Sequence, residues 1–274
     1  APEYREGFRQ RLGLLPKNIP QNGILVHCAS VGETRAAAPL IKKLVKAYPQ
    51  FAVIVSTSTP TGKKACLELF GDSVSHCYLP IDWPGSSQRF IKRLSPKLVV
   101  LMETELWLNL LKSCKSADIP VLLANARLSN KSCEGYLKRP KFSQALFANI
   151  SQVTTQFESD RANFERLRVT KEKLQVAGSI KFDLSISDGL KEQQKALKLT
   201  WVNNRPAWIA VSIHPGEFIA LLETHKKLLA TFPDLLLIAV PRHPEKFDLL
   251  KQNCEQLSLN YISRSHGQAP TAKH

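Results

Sequence analysis

The residues best suited to chemistry in this sequence follow short apolar runs. The first run, Ile24–Val26, leads through His27–Gly32 to Glu33, and a helical pattern begins near Thr34. A carboxylate at such a place can act as a general base that takes a proton from a hydroxyl. Glu33 lies beside the free N–H groups at the start of a new helix, and we expect the field of these groups to keep its carboxylate ionised. The alternative is an ordinary acidic residue of a first helical turn.

Comparable charged side chains follow later apolar runs. Glu103 directly follows Leu98–Met102, and the cationic residues Arg127 and Lys181 follow two further runs. The carboxyl ends of parallel strands meet at one edge of a sheet, so we expect these charges to converge with Glu33 on one cleft. Two carboxylates and two cations held there either bind a ligand or pair with each other in a structural ion-pair cluster.

Small and hydroxyl-bearing residues accompany these charges. Gly32 can let the backbone turn or approach a ligand closely. The hydroxyl run from Ser56 to Thr59 suits a phosphate or a sugar at a helix N-terminus, and it also suits an ordinary N-cap. The sequence contains neither a Gly-x-Gly-x-x-Gly fingerprint nor a Walker loop, which argues against dinucleotide-binding and P-loop proteins.

Strands and helices alternate along the chain and must position these residues. The runs Val53–Val55, Leu98–Met102 and Val121–Ala124 are continuously apolar, which is typical of parallel strands covered by helices on both faces. We therefore predict an α/β fold with a doubly wound parallel sheet. The predicted strands are Ile24–Cys28, Phe51–Ser56, His76–Leu79, Leu98–Met102, Pro120–Ala124, Gln152–Thr155, Leu174–Ala177, Ala207–Val211, Leu235–Val240 and Leu259–Ile262.

This pattern predicts two domains. Residues 1–183 form a Rossmann-like N-terminal domain, 184–204 a polar linker and 205–274 a partial second α/β domain. In the second domain Ser212 and His214 follow one strand, and Pro241 and Arg242 follow the next. An arginine at a strand end can hold a phosphate bidentately, whereas His214 is equally well explained as a loop histidine satisfied by the backbone.

Composition limits the class of protein further. The 274 residues carry a net charge of +15, and residues 1–150 hold 21 Lys and Arg against 10 Asp and Glu. The first domain should therefore attract a nucleic acid, an anionic membrane or a phosphorylated substrate; the alternative is a solvated basic surface that favours solubility. Six cysteines without a C-x-x-C pair argue against a zinc site and suit a reducing cytoplasmic compartment. No apolar run is long enough to span a membrane.

Six motifs in register resemble the 3-deoxy-D-manno-octulosonic acid (Kdo) transferase family of lipopolysaccharide biosynthesis, from about Ala1 to Ile262. They are His27–Glu33, Thr59–Gly62, Met102–Trp107, Asn125–Ser129, Gly178–Asp183 and Pro241–Pro244. The resemblance implies a GT-B glycosyltransferase, with two Rossmann-like domains facing a cleft. The family moves Kdo from CMP-Kdo to the lipid A precursor, lipid IVA, with inversion and without a metal or other cofactor. It works at the cytoplasmic face of the bacterial inner membrane.

The resemblance also implies roles for individual residues. Glu33 matches the general base, and Glu103 and Lys181 match residues that stabilise the transition state. Pro241 and Arg242 match a segment that contacts CMP. We expect a further set to bind substrate: Ser30, Gly32, Thr59, Arg127, Ser212 and His214.

Several departures from the family pattern bear on the activity. Leu108 stands where the family has Pro, and Phe218 stands where a second acidic residue is common. The family's N-terminal anchor and the later part of its second domain have no counterpart here. We therefore expect the chain to be truncated at both ends and inactive alone.

The expected partners are CMP-Kdo, the lipid A precursor and the anionic inner-membrane surface. Nucleic acid is not expected, because the sequence lacks interleaved basic and aromatic residues. Two other functions remain open. One is a GT-B glycosyltransferase that uses a different nucleotide sugar. The other is a non-catalytic protein that binds anionic lipid.

Overall fold

The chain divides into two units, Ala1–Leu184 and Ser185–His274. The computed structural model describes residues 5–183, 188–264, 267 and 269–271. Within these residues the first unit holds a seven-stranded sheet and the second a two-stranded sheet, and every strand pair is parallel. The predicted α/β class with a parallel sheet is confirmed.

The strands of the first unit lie close to the predicted ones. They are β1 (Ile24–His27), β2 (Val53–Thr57), β3 (Ser75–Tyr78), β4 (Leu98–Met102), β5 (Val121–Ala126), β6 (Gln152–Thr155) and β7 (Leu174–Val176). The helices between them are α1 (Phe8–Arg11), α2 (Val31–Ala47), α3 (Pro60–Phe70), α4 (Pro84–Leu94), α5 (Leu108–Ser116), α6 (Asn130–Leu137), α7 (Pro140–Phe147) and α8 (Glu158–Arg166). Short 3-10 turns occupy Gly71–Ser73, Lys171–Lys173 and Ile180–Asp183.

The order of the strands determines where a ligand can bind. Across the sheet the strands run β3-β2-β1-β4-β5-β6-β7, so the direction of winding reverses between β1 and β4. In register, His27 at the end of β1 lies beside Leu101 near the end of β4. In open α/β sheets the crevice beyond the carboxyl ends of such a strand pair is the preferred ligand site. The segments that carry Glu33 and Glu103 leave these two strands.

Two apolar clusters hold the helices against the faces of the sheet. Alternate strand residues point to opposite sides, so Leu25 and Ile54 join one cluster while Val26 and Val55 join the other. The first cluster receives residues from α4, α5, α6, α7 and α8, and the second from α2 and α3. Burial on both faces explains why the strands are continuously apolar. All six cysteines are free and buried, and five of them join these clusters.

Two predicted helices begin elsewhere than expected. The helix predicted from Thr34 begins at Val31, so Glu33 lies inside its first turn. The sequence pattern also predicts a helix over Glu105–Cys114, but α5 begins only at Leu108, because Trp107 has an extended backbone (φ −115°, ψ 107°) and forms the N-cap.

Asp82 joins the turn after β3 to the start of α5. Its carboxylate accepts hydrogen bonds from the backbone N–H of Asn109 (3.0 Å) and of Leu110 (2.9 Å), and from the Ser87 hydroxyl (3.2 Å). These two N–H groups belong to the first turn of α5, where the helix dipole favours a negative charge. The stiff turn that contains Asp82 therefore acts as a helix cap supplied from 27 residues away.

We expect Asp82→Ala to lower the free energy of unfolding by about 3 kcal/mol. The change removes hydrogen bonds to an ionised acceptor and leaves two N–H groups of α5 without their partner. Urea denaturation of the chain measures the effect. Asp72→Ala, at an exposed site in a 3-10 turn, is the matched control and should change stability by less than about 0.5 kcal/mol. Equal effects of the two substitutions would contradict this role.

The second unit is built from three helices and two strands within the described residues. Its elements are α9 (Asp188–Leu197), a π-helical turn (Lys198–Val202), β8 (Ala207–Ile213), α10 (Phe218–Leu229), β9 (Leu236–Pro241) and α11 (Phe247–Gln256). Two 3-10 turns, Pro215–Glu217 and Pro244–Lys246, precede α10 and α11. The strand predicted over Leu259–Ile262 is wrong: these residues are irregular and pair with neither strand.

Candidate active site

Glu33 is fixed at the start of α2 by a reciprocal cap. The Ser30 hydroxyl accepts a hydrogen bond from the Glu33 N–H (3.4 Å). In return, the Glu33 carboxylate accepts from the Ala29 N–H (2.8 Å) and from the Ser30 hydroxyl (3.2 Å). Glu33 is therefore a helix-capping residue, as the simpler sequence interpretation expected. Each carboxylate oxygen has a second lone pair, so this cap also orients the group without using up its capacity to accept a proton.

The pKa of Glu33 is raised, contrary to the expectation from the sequence. Burial is the largest cause, and the negative charges of Glu105 and Glu103 add to it. The hydrogen bonds from Ala29 and Ser30 oppose the rise without cancelling it. The expected effect of the helix N-terminus is thus outweighed by desolvation. A carboxylate with a raised pKa is a stronger base, which is the property that proton abstraction from a hydroxyl requires.

Glu103 and Glu105 lie on the segment that leaves β4. The Glu103 N–H donates to the Ala124 carbonyl (2.9 Å) at the end of β5. The pKa of Glu105 is raised, chiefly by burial and also by Glu103, while the Trp107 side chain opposes the rise. The switch point therefore carries three carboxylates, and the charges of Glu103 and Glu105 raise the pKa of Glu33. Sequence analysis assigned a role to Glu103 and missed Glu105, whose only signal was its spacing of two residues from Glu103.

We expect Glu105→Gln to lower the pKa of Glu33, because the change removes a negative charge that disfavours ionisation of its neighbour. The pH titration of the Glu33 side-chain carboxyl ¹³C signal in the chain measures this shift. Glu68→Gln, an identical change on the exposed side of α3, should leave the Glu33 titration unchanged. A Glu33 pKa that is the same in wild type and Glu105→Gln would show that the two carboxylates do not interact.

Arg127 follows β5 on a loop that other segments hold in place. The side chain of Arg127 is exposed, and its carbonyl accepts from the Thr104 hydroxyl (3.3 Å) beside Glu103. The next residue, Leu128, is held by the buried side chains of Asp160 and Asn163, at 2.8 Å each. Asp160 and Asn163 were missed by the sequence analysis because both lie more than 30 residues further along the chain.

Lys181 lies in the 3-10 turn Ile180–Asp183, which Asn125 attaches to the sheet. The Ile180 N–H donates to the Asn125 side-chain oxygen (3.1 Å), and Ile180 packs against the apolar cluster beneath α2. Asp183 forms an ion pair with Lys43 (3.6 Å). Asn125 itself is buried and left-handed (φ 54°), a conformation that asparagine tolerates better than most residues. These contacts present Lys181, which is exposed, at the same edge of the sheet.

The acidic and basic side chains at this edge of the sheet do not form ion pairs with one another in the part of the chain that the structure describes. Within the described part of the chain, no ion pair joins Glu33 or Glu103 to Arg127 or Lys181. This finding argues against the structural ion-pair cluster that the sequence left open. Four charges kept unpaired at a ligand-binding edge are instead available to a polar, charged ligand.

Gly32 and the hydroxyl run have mainly local roles. Thr59 caps α3 by accepting from the Gly62 N–H (3.0 Å), which is the ordinary N-cap alternative. A Cβ added at Gly32 would meet only the Ser30 hydroxyl, at 3.8 Å. The backbone at Gly32 therefore needs no glycine for the turn, and the predicted turn role is wrong. The exposed position does leave open space beside Glu33 for a ligand.

In the second unit, the residues singled out from the sequence gather at the carboxyl end of the strand pair. Ser212 adopts a left-handed bulge (φ 62°) in β8, and the Arg242 N–H donates to the Ile213 carbonyl (2.9 Å). The ring of His214 makes an edge contact with that of His243, with centroids 6.3 Å apart. Pro241 ends β9, so the exposed Arg242 follows directly. Cations and imidazoles at parallel strand ends suit a phosphate-bearing ligand.

No group of three or more His, Cys, Asp or Glu suited to a metal ion occurs within residues 5–183, 188–264, 267 and 269–271. In that same part of the chain, none of the helices has the length and apolar composition needed to cross a membrane.

Sequence comparisons point to one family. The family profile described as "3-Deoxy-D-manno-octulosonic-acid transferase (kdotransferase)" matches residues 6–184. A 3-deoxy-D-manno-octulosonic acid transferase of Haemophilus influenzae is 40% identical over 272 residues, which cover 98% of this chain and 64% of that protein. The Bordetella pertussis enzyme of the same name is 32% identical, over 92% of this chain and 59% of its own length. The chain thus spans less than two thirds of these relatives.

Solved structures resemble the chain in fold alone. The UDP-GlcNAc 2-epimerase of Neisseria meningitidis superposes with a TM-score of 0.62 at 16% identity, over 87% of this chain and 70% of its own. A glycosyltransferase of Rickettsia africae superposes with a TM-score of 0.55 at 15% identity, over 87% of this chain and 66% of its own. The predicted GT-B type of fold is confirmed by these likenesses.

Proposed function

The chain belongs to the Kdo transferase family of lipopolysaccharide biosynthesis, and on that premise we propose that it moves Kdo from CMP-Kdo to a hydroxyl of the lipid A precursor, lipid IVA. The reaction is a single displacement that inverts the anomeric carbon. The first unit supplies the base for the acceptor, and the strand ends of the second unit bind the CMP of the donor. One observation carries the proposal: Glu33, with a raised pKa, is oriented by its own helix cap at the switch point of the sheet.

In the proposed step, Glu33 takes the proton of the acceptor hydroxyl as its oxygen attacks the anomeric carbon of Kdo. The new carbon–oxygen bond forms while the bond to the CMP phosphate breaks, and CMP leaves with the bonding electrons. The fixed carboxylate favours this role because Ala29 and Ser30 hold it in one orientation before substrate binds. Glu103 remains a proposed stabiliser of the transition state, with Glu105 as a neighbour that raises the basicity of Glu33.

Cations have the complementary role. The phosphate of CMP gains negative charge as the bond breaks, and a cation fixed nearby stabilises that charge. Lys181 is proposed for this role, and Arg242 with Pro241 for holding CMP. The absence of ion pairs on Lys181 and Arg242 within the described residues supports this assignment, because neither charge is neutralised by the protein. Ser30, Gly32, Thr59, Arg127, Ser212 and His214 are proposed as further substrate contacts.

The proposed setting is the cytoplasmic face of the bacterial inner membrane, where the acceptor is embedded. The +11 net charge of residues 1–150 supports an anionic partner of this kind. The proposed chemistry needs no metal and no cofactor, since the base and the cations are all side chains.

A transfer assay on the natural gene product tests the proposal. With CMP-Kdo and lipid IVA we expect a product whose mass exceeds that of the acceptor by one or more Kdo residues, with inverted anomeric configuration by NMR. Product formed from UDP-GlcNAc and not from CMP-Kdo would instead favour a GT-B enzyme with another nucleotide sugar. Lipid binding without transfer from any donor would favour the non-catalytic alternative.

A further inference from the structure

The segment Arg5–Lys17, which precedes β1, is folded firmly onto the first unit. Gly7 and Gly13 both have left-handed backbones, and a Cβ at either would fall within 2.3 Å of Tyr78 or Ser86. The Gln10 side chain accepts from the Tyr78 N–H (2.9 Å) on the edge strand β3. The Arg11 carbonyl accepts from the Ile81 N–H (2.8 Å). The segment is therefore a fixed part of the unit and not a loose end.

Two arginines of α4 complete this attachment. Arg89 donates to the Leu12 carbonyl (2.6 Å), and Arg93 donates to the carbonyls of Pro16 (3.1 Å), Lys17 (2.9 Å) and Ile19 (2.9 Å). Because these guanidinium groups bind backbone carbonyls, their positive charge is retained while their position is fixed. A groove of about 980 Å³ lies between the segment and α4.

The charged side chains that line the groove are all basic. Its lining, which lies within the described residues, contains no Asp or Glu and six cations: Arg5, Arg9, Lys17, Arg89, Lys92 and Arg93. Four of these, Arg5, Arg9, Lys17 and Lys92, are exposed and form no ion pair with any described residue. Clustered, unneutralised cations create a local positive potential that attracts a polyanionic partner.

Apolar side chains stand among these cations. Phe8 is 57% exposed and Leu14 is 44% exposed, and both line the groove. Exposed apolar groups ringed by Lys and Arg are the combination found on protein faces that lie in a membrane interface. A nucleic acid would use the cations and leave Leu14 in water, so the apolar pair distinguishes the two kinds of partner.

We propose that this groove, formed by Arg5–Lys17 and α4, is a docking face for an anionic phospholipid bilayer, with Phe8 and Leu14 entering the interface and the four exposed cations binding lipid phosphates. The inference deepens the membrane part of the proposed function by assigning it a surface. It does not depend on the transfer chemistry.

Hydrogen bonds connect this face to the candidate site. Arg11 at the end of α1 donates to the Ser58 carbonyl (3.0 Å), and the Ser58 N–H donates to the Ala29 carbonyl (3.2 Å). Ala29 in turn holds the Glu33 carboxylate (2.8 Å). The proposed docking face and the Glu33 carboxylate are therefore linked by three successive hydrogen bonds within the first unit.

Co-sedimentation of the 274-residue chain with lipid vesicles tests the proposal. We expect binding to vesicles of phosphatidylglycerol and phosphatidylethanolamine, weaker binding at high salt, and little binding to phosphatidylcholine. The double variant Arg9→Glu/Lys92→Glu should bind the anionic vesicles at least tenfold more weakly. Lys42→Glu/Lys46→Glu makes the same change of charge on the exposed side of α2 and should bind as wild type does. Equal losses in both double variants would overturn the proposal.

A second measurement reports insertion directly. We expect the emission that Phe8→Trp adds to be quenched by vesicles whose acyl chains carry bromine, which requires contact with the lipid interior. An unquenched signal, equal binding to neutral vesicles, or tighter binding to single-stranded RNA than to anionic vesicles would each overturn the docking face. Kdo transfer is measured on the natural gene product, where vesicle binding without transfer would reject the proposed reaction alone. Undiminished vesicle binding by Arg9→Glu/Lys92→Glu, with Kdo transfer intact, would reject the docking face alone.

Discussion

Glu33→Gln is expected to lower the rate of Kdo transfer by about 1,000-fold, because a positioned general base contributes in that range and an amide cannot accept the proton. The measurement is kcat for the natural gene product with CMP-Kdo and lipid IVA. Glutamine suits the position N3 of a capping box, so the hydrogen bond from Ala29 can be kept. The loss should therefore appear in kcat while the fold is preserved.

Thermal stability provides the control for this variant. Because the pKa of Glu33 is higher in the folded chain than in the unfolded chain, its protonated form favours folding below the unfolded pKa, and that contribution is lost as the pH rises through the folded pKa. Removing the charge should then leave Tm at neutral pH equal to or above that of wild type. Glu68→Gln should change neither kcat nor Tm. Wild-type kcat in Glu33→Gln would contradict the assignment of the base.

Lys181→Gln is expected to lower kcat by about 100-fold, since removing one fixed group that stabilises developing charge has effects of this size. The KM for CMP-Kdo should change little, because the interaction strengthens as the phosphate departs. Lys181 is exposed and its turn is held by Ile180 and Asn125, so the substitution should not disturb the fold.

Lys112→Gln, a matched change on the exposed side of α5, controls for the general loss of positive charge. It should leave kcat and KM unchanged. A raised KM with wild-type kcat in Lys181→Gln would make Lys181 a donor-binding residue without a role in the chemical step.

Local patterns in the sequence were sufficient to predict the strands of the first unit and the sheet edge at which the site residues lie. The continuous apolar runs at Val53–Val55 and Leu98–Met102 predicted a sheet buried on both faces, and both faces are covered. Because parallel strands fix which ends meet, the common edge of Glu33 and Glu103 followed from chain order. The stretch Leu259–Ile262 contains the polar Asn260 and joins neither β8 nor β9, and strand pairing is a property of the folded chain.

Contacts between residues far apart in the sequence could not be predicted from these local patterns. The pKa of Glu33 is set mainly by burial and by Glu105 and Glu103, which are 70 or more residues away in sequence. The Asp82 carboxylate caps the start of α5, where its partner Leu110 lies 28 residues further along the chain. Asn125 belongs to the motif Asn125–Ser129, but the sequence predicted no role for it. Its side chain holds Ile180, which lies 55 residues further along the chain. Each of these depends on a partner that only the fold brings near.

The dependence of kcat/KM on pH tests the base role of Glu33 most directly. In wild type we expect the rate to fall on the acid side, as protonation of Glu33 removes the base, with the midpoint above the ordinary pKa of a glutamate. In Glu33→Gln the slow residual rate should be flat over the same acid range. An acid limb that persists unchanged in Glu33→Gln would contradict the central claim, because another group would then be the base.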